Sequence, residues 1–123
     1  MSRFDELERI AASAIDCGYR IHRDIGPGLL ESAYESLMVV ALEHVGHSVK
    51  RQVPITMNYQ GVVVDNAFKI DLLVDGLLIV ELKSIERLSA VHGKQLLTYL
   101  RLCKMPLGIL MNFGQATFKD GLR

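Results

Sequence analysis

The chain has 123 residues, half of them hydrophobic, and its 14 basic and 14 acidic side chains leave no formal net charge. That length builds one domain, residues 1–123, and excludes two, while the composition excludes a disordered chain. Balanced charge excludes a general electrostatic pull on nucleic acid, and no apolar run reaches the roughly 20 residues that span a bilayer. The acidic, amphipathic start MSRFDELERIAAS has no apolar signal core, and Cys17 and Cys103 form no CxxC pair. A cytoplasmic protein with reduced core cysteines is expected.

Apolar residues from Leu7 through Ile10, Ala14, Ile15 and Ile21 to Ile25 recur at three- and four-residue steps, which predicts a helix over about 4–23. IGPG (Ile25 to Gly28) ends it, because proline cannot continue the hydrogen-bond ladder. A second helix is expected from about Leu29, with Leu30, Tyr34, Leu37, Ala41 and Val45 inward and Gly46 as its C-terminal cap. Alternation then takes over: Val49 to Tyr59 reads as strand, Gln60-Gly61 as a turn, and VVVDNAFKIDLLV as one or two strands. Asp75-Gly76 closes a hairpin onto LLIVELK. Ser89 reads as the N-cap of a helix reaching about Cys103, with Val91, Leu96, Leu97 and Leu100 inward, and Leu107 to Met111 as a final strand. The expected class is α/β, a mixed sheet flanked by helices, in the order α-α-β-β-β-β-α-β.

Two carboxylates interrupt strands that otherwise read as buried, Asp71 in KIDLLV and Glu81 in LIVELK. An unpartnered buried carboxylate costs on the order of 2.5–5 kcal/mol, so something must compensate. If Asp75 to Leu77 form a three-residue loop, Asp71 and Glu81 stand side by side; with a two-residue loop they point to opposite faces. Lys83 shares a face with Glu81 by alternation. Paired carboxylates suit a divalent cation with hard oxygen ligands, and a nearby lysine suits hydrolysis of a phosphodiester. The plainer alternative is a strand end reaching solvent with ordinary surface charges.

The pattern ID-x₉-ELK resembles the core of the PD-(D/E)XK nuclease superfamily, and GLLESAY (Gly28 to Tyr34) resembles the GxxExxY motif of one small branch of it. HGKQLLTYL and GILMNFG are similar to that branch as well, so the resemblance runs from about His22 to Phe113. Two departures stand out: Ile70, not proline, precedes Asp71, though many superfamily members also lack that proline, and Gly93-Lys94 stands where an acidic and then a small residue are expected. The resemblance implies a restriction-endonuclease-like core. It also implies a metal site of Asp71, Glu81 and the Leu82 carbonyl, completed by Glu31, with Lys83 at the attacking water and Gln95 and Tyr99 on the phosphate side.

Those expectations amount to a Mg²⁺-dependent nuclease, with Mn²⁺ as an alternative ion, acting on DNA or, second, RNA. A homodimer or a protein partner would supply specificity. The rival expectation is a nuclease-fold module that binds nucleic acid or a protein without cutting. Tyr34 reads as a packing residue with a bonded hydroxyl, His22 as a satisfied core histidine, and His44 and His47 as surface residues. Lys50, Arg51, Lys69, Lys94, Arg101 and Lys104 read as scattered basic residues on the surface. No GxxxxGK[ST] loop and no G-x-S-x-G elbow is present.

Overall fold

A computed structural model describes residues 2–123. Ser2 opens the first helix, α1 (Arg3–Ile25): its hydroxyl accepts from the Asp5 N–H at 3.1 Å while the Asp5 carboxylate accepts from the Ser2 N–H, a reciprocal cap. The helix buries Ile10, Ala14, Cys17, Gly18 and His22. Gly18 permits close approach, since a Cβ there would stand 2.6 Å from the Phe118 ring and 2.9 Å from the Met111 sulfur.

The second helix, α2 (Glu31–His44), buries Tyr34, Glu35, Met38, Val39 and Leu42. Leu30, Leu37 and Val45, expected inward, lie on its exposed side. Leu37 to Val40 is apolar around the whole circumference, so periodicity alone did not single out a face. The 34/38/42 stripe wins because it meets the sheet.

Residues Val49–Tyr59 form β1 and Val62–Val74 form β2, one unbroken strand, so three strands and not four precede the last helix. Next come β3 (Leu78–Lys83), α3 (Ala90–Cys103) and β4 (Leu107–Asn112). The sheet runs β1-β2-β3-β4, antiparallel except for the parallel β3–β4 pair joined through α3. This is the expected mixed sheet flanked by helices.

Alternation along β3 sorts the core into two layers. Leu78, Val80 and Leu82 pack with Leu72, Val74 and Met111 under α1 and α2, while Ile79 packs with Ile70 and Leu110 under Leu96 of α3. Gly108 lets α3 lie close, because a Cβ there would come within 2.8 Å of Leu96. Val91 and Leu97 point outward instead of inward; Leu96 is the buried residue of α3, with Leu100 partly so.

His22 is the core histidine expected, with Nε2 2.8 Å from the Gln115 carbonyl and its ring among Phe113 and Phe118. His44 is exposed as expected, but His47 is not a surface residue. It is buried, with Nδ1 2.6 Å from Asp75 Oδ2 and Nε2 2.8 Å from Ser13 Oγ. Both cysteines are free, Cys17 buried and Cys103 half-buried. Among the described residues no helix is long and apolar enough to cross a membrane.

Candidate active site

The β2–β3 turn decides whether there is a site at all. Asp75 (φ 52°) and Gly76 (φ 68°) both take the left-handed conformation, and the register pairs Val74 with Leu78 and Leu72 with Val80. The loop is therefore Asp75 to Leu77, the longer of the two possibilities, and Asp71 falls beside Glu81. The Asp71 N–H donates to Glu81 Oε1 at 3.2 Å, and the Leu82 N–H donates to Asp71 Oδ2 at 2.8 Å.

Glu81 is only 8% exposed, and burial together with the nearby Asp71 carboxylate pushes its carboxyl up to about 8. Glu31, the first residue of α2, is also raised, by burial first and then by Asp71, with Lys83 opposing. The Lys83 charge opposes the rise at Glu81 as well. Lys83 itself is half-buried and makes no ion pair among the described residues.

A cavity of about 260 Å³ opens between α2 and the sheet, lined by Glu31, Ser32, Glu35, Gln52, Asp71 and Leu82. Glu35 and Gln52 were not expected there. Glu35 is buried, and its Oε1 accepts from Gln52 Nε2 at 2.7 Å while Arg51 approaches its Oε2 at 3.4 Å. The sequence signal was present in Glu35, a charged residue four after Glu31 on a helix and therefore on the same face. Gln52 carried none.

Tyr34 is fully buried, stacked on Phe113 at 4.5 Å, with its hydroxyl donating to the Gly26 carbonyl and accepting from the Leu29 N–H at 3.2 Å. It holds the IGPG connection that delivers Glu31. Tyr99 is half-buried, with its ring stacked on Phe68 at 4.0 Å; burial, then Glu81 and Asp71, raises its hydroxyl pKa. Gln95 is exposed one turn earlier, and among the described residues its side chain has no hydrogen-bond partner. His92 caps its own helix, Nδ1 accepting from the Ser89 N–H at 3.0 Å. The other basic residues, Lys50, Lys69, Lys94, Arg101 and Lys104, are all exposed.

The donor set fits a hard divalent cation: it consists of carboxylate oxygens from Asp71, Glu81 and Glu31 with the main chain at Leu82, and burial penalises the negative charge on two of them. Among the described residues, however, no three His, Cys, Asp or Glu side chains are gathered into a metal-holding group. The strand carboxylates are occupied with backbone N–H groups instead.

Comparison with known proteins places one family on this frame. The model of the PD-(D/E)XK nuclease superfamily matches residues 8–123. No curated protein and no solved structure matches the chain.

Proposed function

The chain belongs to the PD-(D/E)XK nuclease superfamily, and from that premise we propose that it is a divalent-metal-dependent phosphodiesterase acting on DNA. The observation that carries this reading is the three-residue β2–β3 loop, which sets Asp71 beside Glu81, with Asp71 itself lining a cavity that Glu31 also lines. Asp71, Glu81, the Leu82 carbonyl and Glu31 would hold Mg²⁺ or Mn²⁺. When bound, such an ion supplies Lewis acidity towards the phosphoryl oxygens and acidity to water.

The chain's own residues do the rest. Lys83 Nζ, on the face of Glu81, orients the attacking water by donating to its oxygen. Attack forms the new P–O bond and breaks the bond to the leaving sugar oxygen; the proton the water gives up passes to solvent, and the leaving oxygen takes one up from solvent. Tyr99, held flat against Phe68 and within the field of both acids, steadies the phosphate side, with Gln95 one turn before it. Burial of Glu81 keeps bulk water from competing for its own carboxylate.

A second reading, a module of the same fold that binds nucleic acid or a protein without cutting, has one observation in its favour: Asp71 and Glu81 accept from backbone N–H groups and form no metal-holding group. Incubation with end-labelled single- and double-stranded DNA and RNA, in Mg²⁺ or Mn²⁺, separates the two. We expect cleavage of DNA by the intact chain, and its reduction by at least a hundredfold in Lys83→Ala with an unchanged circular dichroism spectrum. Binding without cleavage on every substrate supports the silent module. Undiminished cleavage by Lys83→Ala removes Lys83 from the mechanism.

A further inference from the structure

Gln52 stands across the sheet from Asp71, between the regular pairs Arg51–Leu72 and Val53–Ile70, yet its backbone is left-handed, with φ 49°. The other non-glycine residues in that region of conformational space have local reasons. Gln60 and Asp75 reverse the chain at turns and Lys104 ends a helix; Asn66 lies near the register shift at Ile55/Met57. Gln52 has no turn or cap to form. A residue with a Cβ adopts this conformation inside a strand only where the surroundings impose it, and such outliers gather at functional sites.

The side chain shows what the conformation achieves. Nε2 lies 2.7 Å from Glu35 Oε1 and 3.4 Å from Asp71 Oδ1. A carboxylate only accepts, so the amide nitrogen must face both acids, and its two hydrogens serve one each. Asp71 then has both oxygens engaged, Oδ1 by Gln52 and Oδ2 by the Leu82 N–H at 2.8 Å. A neutral amide also separates two like charges without adding a third. A lysine there would cancel charge that the cavity needs, and a glutamate would add more.

We infer that Gln52 is a positioning residue of the site: its left-handed backbone aims one amide between Glu35 and Asp71 and fixes the rotamer of Asp71. Glu35 acts as the anchor that holds Gln52, and Arg51 holds Glu35 from its other oxygen. The inference rests on the proposed metal site only in saying what Asp71 is held ready for.

The test uses the full chain and two readouts. The first needs no metal: three-bond couplings from the Asp71 side-chain carboxyl carbon report whether its χ1 occupies one rotamer. The second is Mn²⁺ affinity by calorimetry. Gln52→Gly is the sharper variant, because glycine accepts the left-handed backbone and removes only the amide; Glu35→Ala frees the other end and serves if the first fails to fold. We expect a single rotamer in the intact protein and averaging in Gln52→Gly. We also expect Mn²⁺ affinity to fall at least fivefold with the circular dichroism spectrum unchanged. A single Asp71 rotamer in both variants, or averaging already in the intact protein, overturns the inference. If the intact protein binds no Mn²⁺, it is the metal reading that fails, and the rotamer measurement alone decides the role of Gln52.

Discussion

Glu81 carries a carboxyl into a strand whose neighbours are fully buried, and the cost of ionising it there is written into its titration. Burial, and the Asp71 carboxylate beside it, raise it from the ordinary 4.5 to about 8. Between those values the native chain holds a proton that the unfolded chain has released, so stability falls as pH rises from about 4.5 to about 8. A shift of that size corresponds to at most about 3–5 kcal/mol. Urea unfolding of the metal-free protein should therefore give a lower midpoint at pH 8.5 than at pH 5, and Glu81→Gln should flatten that difference. A flat profile in the intact protein would mean that water reaches Glu81 more freely than its 8% exposure suggests. At the proposed metal site a cation and a proton would compete for the same carboxylates, so Mn²⁺ should raise the melting temperature more at pH 8 than at pH 5. Chelation should abolish the gain.

At the scale of elements, α2 and the β2–β3 hairpin each deliver an acid, and each depends on a small device to do so. For α2 the device is the Tyr34 hydroxyl, which satisfies the Gly26 carbonyl and the Leu29 N–H just before Glu31. Tyr34→Phe keeps the ring stacked on Phe113 and leaves both backbone groups without that partner. It should cost about 1–3 kcal/mol in chemical denaturation. For the hairpin the device is the three-residue loop, and here the sequence was legible in part: Asp75-Gly76 announced the turn, while whether the loop had two or three residues was decided only by the register. The order of helices and strands was legible too, because period and turn chemistry are local. What was not legible depended on partners distant in sequence. Glu35 and Gln52 meet across 17 residues and His47 and Asp75 across 28, so nothing beside either residue in the chain announces its partner. Helix faces failed for another reason. Leu37 to Val40 and Leu96-Leu97 offer apolar residues on more than one side, and only the sheet decides which are covered.

Across the whole molecule, the site is held from one side by a relay and projects on the other as an arm. Ser13 of α1, His47 of the α2–β1 connection and Asp75 of the hairpin turn form one hydrogen-bonded chain, and Asp75 Oδ1 also accepts from the Ser48 N–H at 2.8 Å. The order serine, histidine, aspartate resembles a nucleophilic triad. Ser13, however, sits mid-helix, where neighbouring N–H groups are committed to the helix ladder and none is free to stabilise an oxyanion. The chain acts as a latch that fastens α1 to the turn setting the register of the site. Burial works to raise the Asp75 carboxyl, but the Ser48 N–H and His47 together hold it below its usual value. The sign is opposite to that of Glu81: this stabilisation is present above about 3.8 and is lost as pH falls through the lowered value. The arm has no such tie. The β1–β2 ladder continues past Ile70, where β2 has left β3, and at its end Tyr59, Val62, Val63 and Val64 are exposed. Two strands without a third, and without a covered face, are marginal in water. Hydrogen exchange should therefore divide the molecule, with amides of residues 57–64 exchanging quickly and those of residues 78–82 near the global limit. His47→Ala should change the map on one side only, lowering stability by about 2–3 kcal/mol from the lost bonds. It should speed exchange at residues 74–78 while leaving the arm as it was. Equal acceleration in arm and turn would show instead that His47 supports the fold as a whole and does not fasten the hairpin in particular.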